Sequence, residues 1–252
     1  MPTPSVPGRA LAVALLALIM AARASATGVG LRWDACVADG GQINRSFACN
    51  TNVGNLFIVG SFAVDQTLTD VTRVAVSLEL ASASPALPAW WDWIGCRSDS
   101  HYETSAATTV CVPFFGSPGI SGIFIGEHGP NTERIEIGSA NFPPGSTVAA
   151  GIEYAVVAVR LNVLHTVGSG SCGGCATPVC IVVRSVSVSV QPYPYPGYPL
   201  VVTVLTQPLN GTDSNFATWQ GGGSPVVGGA VGCPAATAAH RSVWGALKAL
   251  YR

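Results

Sequence analysis

Residues 179–190 read VCIVVRSVSVSV, and from Val186 to Val190 valine and serine alternate without exception. Successive side chains of a β-strand point to opposite faces, so Val186, Val188 and Val190 line one face and Ser187 and Ser189 the other. Carried backward, this register puts Arg184 on the apolar face, and a β-bulge is expected near it. The same period of two recurs along the chain. Val74, Val76, Leu78 and Leu80 oppose Arg73, Ser77 and Glu79 within 71–80; Leu56, Ile58, Phe62 and Val64 share one face of 56–64. Ile135 and Ile137 alternate with Arg134 and Glu136, and Val157, Val159, Leu161 and Val163 with Arg160 and Asn162. A further strand is expected over about 200–205, and a weaker one over 120–125, where Gly122 interrupts the pattern. Clusters of turn residues separate these runs: Gly40-Gly41, Gly116-Ser117-Pro118-Gly119, Gly129-Pro130-Asn131 and Pro143-Pro144-Gly145. Many short strands with no helical pattern between them predict an all-β fold, an antiparallel β-sandwich that buries alternate valines and leucines between two sheets.

The two ends read differently. Residues 1–26 have the layout of a secretory signal: Arg9 in the n-region, an apolar stretch from Ala10 to Ala21, and an A-x-A site at Ala24-Ser25-Ala26. Cleavage there leaves 226 of the 252 residues, with the sandwich expected over 27–236. At the far end Thr237 is placed to cap a helix in which Val243, Leu247 and Leu250 recur at helical spacing, with Lys248 and Arg252 in the last turn. This amphipathic helix, 237–252, is read as packing on the sandwich, with a terminal address or docking segment as the other reading. Thr27 rather than a cysteine directly follows the cleavage site, so lipid attachment there is not expected, and no later apolar run approaches a membrane-spanning length.

Composition narrows the partners. Removing Arg9 and Arg23 with the signal leaves 10 basic and 13 acidic residues, net −3, the wrong sign for nucleic-acid binding. Lys248 is the only lysine, so a basic patch for anionic lipid is not expected. With 10% charged residues, the exported chain suits a surface that packs against neighbours, and self-association is among the expectations. The stretch QPYPYPGYP (191–199) reads as a stiff, extended excursion between strands that displays Tyr193, Tyr195 and Tyr198.

All eight cysteines (Cys36, Cys49, Cys96, Cys111, Cys172, Cys175, Cys180 and Cys233) lie beyond the signal, and an even number in an oxidising compartment predicts disulfides. By proximity Cys36 would pair with Cys49 and Cys96 with Cys111, leaving two bonds among Cys172, Cys175, Cys180 and Cys233 in any of three pairings. Cys172-Gly-Gly-Cys175 with Cys180 also permits thiol redox chemistry or metal handling. The pair sits in a glycine- and serine-rich run rather than at a helix N-terminus, where a thiol pKa would be lowered, so disulfides are the expectation.

Trp90-Trp91-Asp92-Trp93 is the densest aromatic patch. Its rings could stack on sugar faces with Asp92 accepting hydroxyl hydrogen bonds, which would make a carbohydrate-binding module. Adjacent aromatics on an extended segment point to opposite sides, so at least one of Trp90 and Trp91 is expected to plug the sandwich end. Asp34, Asp39 and Asn44, and Asn210, Asp213 and Asn215, fit turns better than the spaced carboxylates of a calcium loop, and no metal or cofactor is expected. Asn44-Arg-Ser46 and Asn210-Gly-Thr212 match the glycosylation sequon. The chain contains no G-x-S-x-G, H-E-x-x-H, P-loop or G-x-G-x-x-G motif; His101, His128, His165 and His240 are scattered; and Glu127-His128 has no evident partner. A non-enzymatic protein is therefore expected, although a pair of carboxylates for glycoside cleavage has no sequence signature.

The segments LRWDAC (31–36), FACNTN (47–52), VGSF (59–62), ASASPALPAWW (81–91), CGGCATPVCIV (172–182) and WGALKALYR (244–252) together resemble exported, disulfide-containing proteins of environmental bacteria. That resemblance implies compartment and fold and carries no catalytic residue. The strand order, with a turn after Leu80 and a late long strand from Tyr154, is more remotely similar to cohesin-like, Ig-like or carbohydrate-module sandwiches. The expected role is structural or adhesive binding at the cell surface or in the periplasm, to polysaccharide or another surface protein. Carbohydrate binding through the tryptophans is the alternative, and thiol or metal chemistry a weaker one.

Overall fold

The computed structural model describes residues 27–82, 84–98, 101–104, 112–114, 120–140, 145–191, 200–209 and 214–221. The signal at 1–26, most of the Pro/Tyr stretch, Cys111, Cys233, and the expected helix at 237–252 lie outside them. The described strands, in chain order, are β1 (Gly28–Trp33), β2 (Asn44–Arg45), β3 (Asn55–Ala63), β4 (Leu68–Ser82), β5 (His101–Thr104), β6 (Val112–Pro113) and β7 (Ile120–His128). They continue with β8 (Thr132–Ala140), β9 (Ser146–Val148), β10 (Tyr154–Asn162), β11 (Val179–Val190), β12 (Val201–Leu205) and β13 (Phe216–Trp219).

The strands form the expected sandwich. One sheet runs β1-β3-β10-β5, with β6 alongside β10; the larger runs β2-β13-β11-β4-β8-β7, with β12 on β11 and β9 on β4. Antiparallel pairing dominates, and the short β6–β10 and β2–β13 contacts are parallel. Between the sheets Leu31, Ile58, Phe62, Val157, Val159 and Leu161 meet Val74, Val76, Leu78, Leu80, Ile135, Ile137, Ile181, Val186 and Val188, all buried in one cluster. Burying each such side chain contributes about 1.5–3 kcal/mol, so the alternating faces are the main reason the sheets stay together.

The expected bulge in β11 is present. The ladder with β4 steps from Val183↔Leu78 to Ser185↔Ser77, leaving Arg184 as the extra residue. Val179, Ile181 and Val183 face the core before it, and Val186 and Val188 after it. Freed from the apolar face, Arg184 donates from Nε and a terminal nitrogen to the two Glu79 carboxylate oxygens at 2.9 and 2.7 Å.

Strand β1 has no alternation to announce it, because all six of its residues are buried. Its free edge is covered by the chain after β12: Val29 N–H donates to Gln207 O at 2.9 Å and Leu31 N–H to Ser214 O at 2.7 Å. Arg32 then reaches the carbonyls of Ser214 and Phe216 at 3.1 and 2.9 Å, tying β1 to the larger sheet. No helix among the described residues is long and apolar enough to cross a membrane.

Candidate functional site

The tryptophans lie inside the protein. Ala89–Trp91 is one turn of 3-10 helix, so neighbouring rings fan out about 120° apart rather than alternating across a strand. Trp90 stacks on Trp219 with centroids 4.9 Å apart and planes at 19°. Trp91 meets both edge-on, at 5.0 Å from Trp90 and 5.6 Å from Trp219, and Trp93 stacks on Trp91 at 6.5 Å. Each of Trp90, Trp91 and Trp93 is at most 2% exposed. Their polar edges are used internally where they bond: Trp90 Nε1 donates to Thr166 Oγ1 at 3.1 Å and Trp219 Nε1 to Cys175 O at 2.6 Å. Asp92 closes its own turn, its Oδ1 accepting from the N–H groups of Ile94 and Gly95. The sugar platform expected as an alternative at Trp90, Trp91, Asp92 and Trp93 therefore has no solvent-facing ring, and this segment fills one end of the sandwich.

The cysteines staple that same end, with partners other than those proximity suggested. Cys49 bonds Cys175 and Cys96 bonds Cys172. These bonds overturn the short loops Cys36–Cys49 and Cys96–Cys111, and with them two bonds confined to Cys172, Cys175, Cys180 and Cys233. Cys36 and Cys180 are disulfide-bonded as well, and no described cysteine is free. The sulfurs of Cys172 and Cys175 go to different loops, so this C-x-x-C is no dithiol couple, and Cys180 offers no thiolate either. The physical reason lies in the loops. Gly174 adopts φ +91° and packs against Pro88 so closely that a Cβ there would collide with the proline ring. The N–H of Trp90 donates to Gly173 O at 2.9 Å, so this loop sits on the tryptophan turn, and there its buried cysteines meet Cys49 and Cys96.

The other sequence candidates are dispersed. Asp34 pairs with Arg45, and Asn44 Oδ1 accepts from Thr218 Oγ1 and the Gly221 N–H. Asn215 gives its carbonyl to Val183 N–H, while Asn210 and Asp213 lie outside the described residues. Among the described residues no three His, Cys, Asp or Glu side chains lie together as a metal would need. His101 opens β5, His128 closes β7, His165 sits in a loop at φ 58°, and His240 is outside the described residues.

One titratable group escaped the sequence reading. Glu133, on β8, shares the inward parity of Ile135 and Ile137 and is fully buried. Burial, then the charge of Asp92, push its pKa up to about 8, partly offset by a hydrogen bond from the Trp93 backbone. Its position two residues before Ile135 was the available signal. It is a buried acid in the stapled end and does not line the groove described next.

That groove, of about 450 Å³, crosses the outer face of the larger sheet. Across three strands the register sets Ala75 (β4), Gly138 (β8) and Gly122 (β7) side by side, a floor of small residues. The next row holds Ser77, Glu136 and Phe124, and the row on the other flank Arg73 and Ala140. Phe124 is 69% exposed, and Glu136 is held by Ser77, whose hydroxyl donates to it at 2.7 Å. Gly122, which weakened the strand pattern in the sequence, makes room in this floor.

No protein-family model matches the chain, and no curated protein matches it in sequence. Among solved structures, the cohesin module from the family 33 glycoside hydrolase of Clostridium perfringens ATCC13124 is similar, with a TM-score of 0.33 and 9% identity over 71% of this chain and 96% of that one. The two-sheet architecture stands on the ladders and core described above.

Proposed function

We propose that this chain is an exported, non-enzymatic binding protein, structural or adhesive in role, which holds an extended partner across the outer face of its larger sheet. The carrying observation is how the molecule distributes its reactive and apolar groups. Cys49, Cys96, Cys172 and Cys175 and the tryptophans of 90–93 are consumed in one stapled end, while Phe124 stands exposed beside a groove with a small-residue floor. A disulfide-tied scaffold supports export, because such bonds persist in oxidising compartments. A floor without projecting side chains, flanked by an aromatic ring and single opposite charges at Arg73 and Glu136, suits an uncharged extended chain. An exposed ring beside such a floor is the feature that favours a polysaccharide over a surface protein.

Co-sedimentation of the purified exported protein with insoluble polysaccharides and with cell-envelope material tests this reading. Saturable retention is expected, weakened at least about tenfold by Phe124→Ser, which removes the stacking ring. Gly138→Leu should do the same by filling the floor, since a Cβ at Gly138 meets open space and the fold tolerates it. Retention equal to wild type in both variants overturns the groove as the site. No saturable retention on any material overturns the binding role.

A further inference from the structure

Beyond that groove, the geometry points to a second interaction site: we propose that the free edge of β12 pairs antiparallel with the β12 edge of a second copy of this chain, about a two-fold axis through Thr203. Strand β12 is bonded on one side to β11, from Val186↔Leu205 to Val190↔Val201. Among the described residues no strand pairs with its other side. Val201, Val202 and Val204 are 54%, 48% and 56% exposed there. Exposed strand edges are ordinarily blunted by charge, yet the chain carries no Asp, Glu, Lys or Arg between Arg184 and Asp213. Nothing in the strand repels an identical neighbour.

The sequence VVTVL is self-complementary about its centre. A two-fold axis at Thr203 sets Val201 opposite Leu205, Val202 opposite Val204, and Thr203 opposite itself. Antiparallel partners must both belong to hydrogen-bonded or both to non-hydrogen-bonded positions, and these pairs satisfy that condition because each joins residues an even number of places apart. Opposed residues also share a face. Val202 and Val204 stand beside Ser189 and Ser187, which face outward, so the new valine pairs lie on the outer surface. Pro199 and Pro208 bracket the strand, and without an N–H each limits how far the ladder extends. A ladder of five residues buries less than the roughly 800 Å² per partner of a standard interface, so the association is weak and concentration-dependent. The pairing is isologous and closes at two copies.

Sedimentation velocity of the full exported chain from about 1 µM to about 1 mM, a span that brackets weak association, reads this directly. The expected result is a reversible doubling of mass with rising concentration. Val202→Lys combined with Val204→Lys opposes like charges across the axis, and the concentration for half-association should rise at least about tenfold. Val202→Glu combined with Val204→Lys opposes unlike charges in the same register, and association should return. Both substituted positions are exposed, and an unchanged melting temperature shows the fold is intact. A strictly monomeric wild type, a dimer indifferent to both pairs of substitutions, or open-ended higher oligomers each overturn the proposal. The groove assay with Phe124→Ser reads the binding role separately, since Phe124 lies on β7 at the opposite end of the sheet.

Discussion

The guanidinium of Arg97 lies over the ring of Trp90, its central carbon 3.8 Å from the ring centroid, inside the protein. Two of its nitrogens donate to the carbonyls of Trp90 and Asn162, joining the tryptophan turn to the end of β10. A buried cation–π contact contributes about 2 kcal/mol, and each carbonyl left unpaired costs about 1–3 kcal/mol. Arg97→Met is therefore expected to destabilise the protein by about 3 kcal/mol or more in urea titration. Arg97→Lys keeps the charge over the ring but lacks the fork that serves two carbonyls, and should lose about 1–2 kcal/mol. Equal stability of the two variants would remove the fork from this account.

The disulfides close far longer loops than their sequence neighbours would. Cys49 and Cys175 are 126 residues apart, Cys96 and Cys172 76 apart. In the chain-entropy model such bonds contribute roughly 4–5 kcal/mol each, against about 3 kcal/mol for loops of the length that proximity suggested. Replacing both Cys49 and Cys175 with alanine should lower unfolding stability by about that larger amount. Mass mapping of the unreduced protein should recover the 49–175 and 96–172 linked peptides. Peptides linking 36 to 49 or 96 to 111 would contradict the arrangement.

The sandwich was legible because its central strands have one wet face and one dry one. Strands β4, β8 and β11 alternate, as does β10 from Val159 onward, and the misfit of Arg184 marks the bulge. Strand β1 escaped because Gln207, Pro208 and Ser214 line its edge and its own Arg32 reaches across to Ser214 and Phe216, so burial on both sides erases the alternation. The tryptophans were legible as an aromatic cluster but not in direction, since that depends on the 3-10 turn that carries Trp90 and Trp91 and on the Asp92 turn that brings Trp93 in behind them. Cysteine pairing follows where loops meet in space, here at the Gly174–Pro88 contact, and adjacency in sequence is a poor guide to it. The groove was written in Gly122 and Gly138, but only register shows that they stand side by side.

Glu133 makes stability depend on pH. Its carboxyl ionises near 4.5 when unfolded and near 8 when folded, raised first by burial and then by the Asp92 charge. Below about 4.5 both states hold the proton, and above about 8 neither does. Between these limits the folded state binds more protons than the unfolded, so stability falls as pH rises, by at most about 1.4 kcal/mol per pH unit from this group. Glu133→Gln should flatten that slope in denaturant titrations at pH 5, 6 and 7. Asp92→Asn keeps the oxygen that accepts from Ile94 and Gly95 while removing the charge, and should reduce the slope without abolishing it. A slope unchanged in Glu133→Gln would assign the pH dependence to other groups.

The bulge in β11 predicts how that strand tolerates deletions. Arg184 is the unpaired extra residue, so removing it leaves Val183, Ser185 and Val186 in regular alternation opposite Leu78, Ser77 and Val76. The deletion forfeits the Glu79 ion pair, which is partly exposed and contributes up to about 1 kcal/mol. It also loses the local twist that a bulge confers, while both apolar halves of the strand keep facing the core. Deleting Ser187 instead reverses every residue beyond it, turning Val188 to solvent and Ser189 inward. The Arg184 deletion should therefore fold and melt cooperatively at somewhat lower temperature, whereas the Ser187 deletion should lose the cooperative transition. Circular dichroism melts of the two decide the matter. Comparable damage from both would mean that β11 is held by its neighbours on either side more than by the alternation of its own faces.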